Sequence, residues 1–167
     1  KGPGAYQKDG NVRSAELGRA HFDLKDRRVK VDKKTRDLVL PLEGLEVMAE
    51  VGSVMRRDAR VDIFRIDGKT VTKPWTGEIH VSSVERGFSR DMAMAVKNSD
   101  IIKARIINTK NRMILLSIYG PEYGVVYGYC SRCGTLLELQ QGRLNCSKCD
   151  RGERRKIAST YGKEQLV

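Results

Sequence analysis

Two cysteine pairs near the end of the chain constrain its fold most. Cys130-Ser-Arg-Cys133 and Cys146-Ser-Lys-Cys149 stand twelve residues apart. Each C-x-x-C turn offers two thiolates, and a hairpin between the turns brings the pairs together as a closed tetrahedral site. This is the spacing of a zinc ribbon. Four thiolates leave no open coordination position, so the one Zn2+ they imply is structural rather than catalytic. Gly134, directly after the first pair, supplies the permissive backbone such a turn needs. Two disulfides in a secreted domain form the competing reading. The confinement of all four cysteines to twenty residues of a 167-residue chain, with no apolar signal segment, argues against it. A thioredoxin-like dithiol uses one such motif rather than two in tandem. The cysteines therefore point to a reducing compartment, the cytoplasm.

Charge sets the class of partner. The formal net charge is +11, and four thiolates around a divalent cation would remove only two of those charges. The natural partner is a polyanion. No stretch approaches the eighteen apolar residues that a membrane helix needs, so no membrane partner is expected. The first residue is Lys1 rather than Met, which reads as a processed or trimmed start.

Periodicity and turn signals divide the chain into three parts and predict a mainly β protein. Residues 1–40 form a small N-terminal β domain. Gly2-Pro3-Gly4 and Lys8-Asp9-Gly10-Asn11 are turns, and Val29-Lys30-Val31 alternates as a strand does. Seven basic residues against two aspartates crowd between Lys25 and Arg36. They suit a solvated strand edge and equally a docking surface for an acidic partner or RNA. Few large apolar residues occur here, so the module leans on a neighbour for stability.

Residues 42–120 predict a five-stranded barrel. Val47–Val51, Arg60–Phe64 and Thr76–Val81 read as strands. A short helix is expected from Ser89, a plausible N-cap, to Lys97, with Asn98 as terminator. Ile101–Ile106 and Met113–Ser117 complete the set, the last after a tight turn at Lys110-Asn111. Three strands, a helix and two strands follow the order of an OB fold, which binds single-stranded nucleic acid across its strand 2–3 face. Residues 121–167 hold a connector and the ribbon. The run 119–129 carries four of the six tyrosines, punctuated by glycine. Two histidines, neither close in sequence to a carboxylate pair, make no nuclease site. Ile66-Asp-Gly-Lys69 lacks the spacing of a phosphate loop. The chain is therefore expected not to be an enzyme.

Gly77-Glu-Ile-His-Val-Ser82 resembles the G-x-[IV]-H-[IV]-S signature of the S-one domain, an RNA-binding unit of OB fold. The run from Gly120 to Gly134, with Glu153-Arg-Arg-Lys-Ile-Ala-Ser-Thr-Tyr-Gly162, is more particular. It resembles the zinc-ribbon subunit of the exosome RNA-binding cap in its archaeal form, and Gly4-Ala-Tyr-Gln-Lys-Asp-Gly10 is similar to a stretch of that family's N-terminal domain. The resemblance spans nearly the whole chain. It implies a non-catalytic cap subunit that helps capture RNA and feed it into a hexameric ring of RNase PH-like subunits, which degrades RNA from the 3′ end by phosphorolysis. It implies docking of the N-terminal domain on that ring, S-one domains at the entry to its channel, and association with a DnaG-like primase protein. An RNA-binding accessory factor of transcription or translation is the alternative, because zinc ribbons and OB folds are common there.

Many S-one domains carry D-F-G-A-F-V at the start of strand 2. Here the aligned run is Arg56-Arg57-Asp58-Ala59-Arg60-Val61, so Arg57 and Arg60 stand where that pattern has phenylalanines. Guanidinium groups stack on bases but also grip phosphate, which predicts weaker base stacking and more backbone binding. His80 alternates away from Ile79 and Val81 onto the same outward face; an ordinary exposed histidine is its bland reading. Lys110 and Arg112 flank the last hairpin and either follow phosphates or form a solvated turn. Trp75 either stacks on a base or closes the barrel end. His21 has no visible partner in the sequence. On sequence alone, loss of one ligand such as Cys146 should unravel the chain from about residue 128 onward and leave the barrel folded.

Overall fold

The structure, a computed structural model, describes residues 2–35, 38–85, 91–110 and 113–165. The chain divides into two compact units, Lys1–Leu38 and Val39–Val167.

The first unit is two hairpins. Strand β1 (Ala5–Lys8) pairs with β2 (Asn11–Ser14), and β3 (Gly18–Asp23) pairs with β4 (Arg28–Lys33), both antiparallel. Asp9 and Gly10 both take positive φ, 53° and 77°. That is the backbone of a two-residue hairpin loop whose twist matches the strands it joins. At the second turn, Asp23 Oδ1 accepts from the amides of Lys25 and Asp26, at 3.0 and 3.1 Å. The Gly2–Pro3 segment lies along β4, with Gly2 N donating to Val29 O at 2.8 Å and Val31 N to Pro3 O at 3.0 Å. Among the described residues of this unit only Val31 is buried, so backbone pairing rather than a core holds it together.

The second unit is a closed barrel joined to a ribbon. Its first five strands are β5 (Glu46–Val54), β6 (Asp58–Ile66), β7 (Lys69–His80), β8 (Ile101–Asn108) and β9 (Ile114–Ser117). The order around the barrel is β5-β6-β7-β9-β8 and back to β5. All neighbours are antiparallel except β7 and β9. That connectivity is the OB fold. Strict alternation fills the interior: Val47, Ala49 and Val51 on β5, Ala59, Val61 and Ile63 on β6, and Ile102, Ala104 and Ile106 on β8 all point inward. Pro74, which has no amide to give, falls where the β6–β7 ladder is irregular, between the Ile63 and Arg65 pairings. Trp75 is half-buried and packs against the core.

The expected helix over 89–97 is not what closes the barrel end. Ser89 lies outside the described residues, and the segment that follows forms one 3-10 turn, Met92–Met94. Asp91 caps it, its carboxylate accepting from Ala93 N at 3.0 Å. Two amides at the ends of this stretch serve other partners. Met92 N donates to Arg56 O at 3.1 Å, and Lys97 N donates to the Asp100 carboxylate at 2.8 Å. Met92, Ala95 and Val96 keep helix-like spacing because all three bury against the barrel.

The tyrosine-rich run expected as a connector supplies another strand, β10 (Gly124–Tyr127), paired with the first half of β8. Gly124 sits at φ 132°, and a side chain there would run into the Lys156 carbonyl. The ribbon is a three-stranded antiparallel sheet of β11 (Glu138–Gln140), β12 (Arg143–Cys146) and β13 (Arg151–Glu153). Leu137 and Leu144 are buried in the same apolar cluster as the barrel interior, so barrel and ribbon share one core. Among the described residues, no helix is long and apolar enough to cross a membrane.

Candidate metal centre and nucleic-acid interface

The two cysteine turns converge as the spacing predicts. The four sulfurs of Cys130, Cys133, Cys146 and Cys149 lie within 4.8 Å of one another, and Cys133 Sγ is 3.5 Å from Cys146 Sγ. A tetrahedral sulfur site with bonds of about 2.3 Å has edges of about 3.8 Å, so the spacing fits a single ion. Gly134 takes φ 71° directly after the first pair, the left-handed turn its position called for. The thiols are unequal. Hydrogen bonding with Thr135, through its hydroxyl 3.3 Å away and its backbone, holds Cys133 down at about 6. Hydrogen bonding to the Cys133 sulfur, together with burial, pushes Cys149 up to about 12. Four ionised thiols at this separation require a cation to offset their repulsion. The residues can therefore hold one metal ion with soft, closed coordination.

Behind the first cysteine turn lies a buried ionic chain. Ser131 donates to Glu153 Oε1 through both its amide and its hydroxyl, each at 2.8 Å. The other carboxylate oxygen of Glu153 meets Lys97 Nζ at 3.1 Å and the Arg155 guanidinium at 3.0 Å. Arg155 Nε then reaches the barrel carboxylate Asp100 at 2.6 Å, while its far nitrogen donates to Tyr129 O at 3.2 Å. Both side chains of the Arg155–Asp100 pair are 0% exposed. Burial alone would raise Glu153, but the Ser131 hydrogen bonds and the Lys97 and Arg155 cations outweigh it and hold the carboxyl at about 2. Asp100 is shifted the other way: burial raises it despite the arginine beside it. The sequence contains these residues within stretches singled out for other reasons. Nothing in their spacing reveals that Lys97 and Asp100 meet Glu153 and Arg155.

The outward face of β5, β6 and β7 carries three of the five candidate nucleic-acid contacts. Arg60 stands on β6 between Ser53 of β5 and Glu78 of β7. His80 stands opposite Asp58. Arg57 lies in the β5–β6 turn, its carbonyl accepting from Val81 N at 2.7 Å. Both arginines are exposed. His80 is half-exposed but locally engaged: Nδ1 lies 2.7 Å from Ser82 Oγ and accepts from Ser82 N at 3.2 Å, and Nε2 is 3.9 Å from Asp58 Oδ1. It thereby caps the 3-10 turn Val81–Ser83. Lys110 is not with them. Because β8 runs antiparallel to β5, its exit toward Lys110 is at the end opposite the Arg57 turn. Arg112 lies outside the described residues. His21, for which the sequence suggests no partner, sits 2.8 Å from Asp32.

The same outward face holds carboxylates that sequence reasoning passed over. Asp58, Asp62 and Glu78 alternate outward with Arg60 and His80, and Glu50 pairs across from Asp62. The alternation of β6 and β7 was the available signal. Positive charge on this face is therefore concentrated at the β5–β6 turn, where Arg56 and Arg57 are both exposed. A polyanion would meet attraction at that end and like charge along the middle of the sheet.

No family model matches the chain. It is 32% identical over 165 residues to the exosome complex component Csl4 of Archaeoglobus fulgidus, which covers 98% of this chain and 89% of that protein. A solved structure described as an exosome complex RNA-binding protein is 24% identical over 54% of this chain and 50% of its own, with a TM-score of 0.41. The 32% identity to the Archaeoglobus protein runs along almost the entire length of both sequences, across the N-terminal module, the barrel and the cysteine ribbon together, and the chain belongs to the Csl4 family of exosome components.

Proposed function

We propose that this chain is the non-catalytic RNA-binding cap subunit of an archaeal exosome. It captures single-stranded RNA for a phosphorolytic ring of RNase PH-like subunits in the cytoplasm. The observation that carries the reading is the near full-length similarity to a Csl4 component, joined to an OB barrel with cations gathered at one end of its outward face. Arg57 and Arg60 bind phosphate and His80 caps the turn that follows β7, while Lys110 guides the strand at the other end. Such contacts read no sequence, as suits a subunit that must accept any transcript. The acidic middle of the face keeps RNA from settling, so capture is fast and release is easy.

The ribbon metal is zinc, one ion per chain, because four thiolates in a closed set suit it best among abundant divalent ions. The N-terminal module docks on the ring. Its exposed Phe22 and Leu24, beside Lys25, Arg28 and Lys30, offer an apolar surface with a basic border. A DnaG-like primase protein is a further partner. The experiment is a degradation time course on long RNA with ring alone, ring plus chain, and ring plus the Arg57→Ala/Arg60→Ala variant. The chain alone should not shorten RNA, and added to the ring it should raise processivity. The double variant should lose most of that gain, with a salt slope flatter by about 0.7 per lost contact. Equal stimulation by the variant removes these arginines from the RNA path, and cleavage by the chain alone overturns the reading.

A further inference from the structure

The geometry points to a metal-dependent barrel: the ionic chain from the first cysteine turn through Glu153 and Arg155 to Asp100 makes ribbon and barrel one cooperative unit, so metal occupancy sets the shape of the barrel end that carries Arg56 and Arg57. The connection can be followed bond by bond. Ser131, next to Cys130, holds Glu153, and Glu153 and Asp100 together hold Arg155. Asp100 in turn accepts from Lys97 N at 2.8 Å and Tyr129 N at 3.3 Å. Its own segment is sewn to β5: Ser99 N donates to Val51 O at 2.7 Å, and Val51 N to Asp100 O at 2.9 Å. Lys156 N donates to Ala95 O at 2.8 Å, within the segment whose Met92 N holds the Arg56 carbonyl at 3.1 Å.

Burial makes the link consequential. Lys156 is almost fully buried, its Nζ donating to Gly120 O at 2.8 Å. If the ribbon unravels, Arg155 leaves and Asp100 remains as a buried carboxylate without its cation. Removing one partner of a buried pair is far more damaging than never having had the pair, because the remaining charge keeps its desolvation penalty. The barrel therefore cannot stay unchanged when the ribbon opens, contrary to what the sequence alone suggests. This rests on the metal reading of the four cysteines, and the test separates the two.

The test uses the full chain. A chelator strips the metal while released zinc is followed with a chromogenic indicator, and the barrel is followed by Trp75 fluorescence and by amide exchange at Val51, Met92 and Ser99. Trp75 is the sole tryptophan and lies on β7, which pairs with β6 and β9 and not with the ribbon strands. Exchange at those amides should accelerate by about 100-fold or more as metal leaves. Arg155→Met should bring similar acceleration with metal still bound. Asp100→Asn in the Arg155→Met background should restore much of the protection, since no carboxylate is then stranded. Release of metal with the three amides and Trp75 unchanged overturns the coupling but leaves the metal site intact. Absence of metal from the native chain overturns the metal reading itself. If Arg155→Met does not fold, the chelation arm on the unaltered chain still decides.

Discussion

The two units of this chain are built from the same element, the antiparallel hairpin, and are held together in different ways. In the barrel and ribbon, side chains such as Ile63, Ile79, Ile102 and Leu116 are 0% exposed. In the first unit Val31, at 7%, is the only buried residue among those described, while Leu17, Phe22 and Leu24 are 70–88% exposed. Alternation yields a core only when the sheet closes on itself or on a second layer. Five strands with a parallel β7–β9 closure meet that condition, and two separate hairpins do not. Isolated hairpins are marginal in water, so the first unit is the part whose stability depends on what covers it. The difference teaches that in this chain the barrel and ribbon carry their own core, whereas the two hairpins leave their apolar side chains in water.

The strongest way to break that comparison is to attack the metal site. Cys146→Ser should reduce metal from one ion per chain to nearly none, removing a binding free energy of the order of 10 kcal/mol. It should lower the melting temperature of the barrel and ribbon together. Elemental analysis and amide exchange check this, and the hairpin amides of β1–β4 should not respond. A response there would mean that the two units are not independent. A smaller effect is expected from matched cavities. Ile79→Ala in the barrel should cost about 2–5 kcal/mol, whereas Val31→Ala should cost about 1.5 kcal/mol at most, for two methyl groups. Denaturant titration of the full chain measures both, and equal costs would erase the distinction. The smallest stability effect belongs to Phe22→Ser, within about 0.5 kcal/mol because the ring is already in water. The same change should nevertheless abolish stimulation of the ring in the degradation assay. A large loss of stability instead would show that Phe22 is a core residue of its own unit.

Much of the barrel was legible because its information is local. Val47–Val51, Arg60–Phe64 and Ile101–Ile106 alternate with period two, and the structure extends each strand by only a few residues. The cysteine site was legible for a similar reason, since C-x-x-C spacing places two sulfurs on one side of one turn. Only one 3-10 turn of the predicted helix forms among the described residues, where a nonlocal bond from the Met92 amide to the Arg56 carbonyl meets a local one from the Lys97 amide to the Asp100 carboxylate. Residues 119–129 looked like a connector because glycine and tyrosine at short intervals carry no clear period. Their strand exists only because β8 offers an unpaired edge at Ile101–Lys103.

The same division runs through the candidate RNA face. By itself the sequence determined that Arg60 and His80 point outward, since alternation decides the side of a strand on which a residue lies; Arg57 has the opposite parity to Arg60 and is exposed because it sits in the β5–β6 turn. It also determined a four-sulfur ligand set, a basic chain and the order of modules. Only the tertiary structure decided that Lys110 lies at the far end, that carboxylates of three strands line the middle of the face, and that Arg155 of the ribbon neutralises Asp100 of the barrel. Periodicity and spacing act over a few residues, where backbone geometry alone sets which side chains meet. A charge pair separated by 55 positions has no such geometry until the barrel closes and the ribbon folds against it.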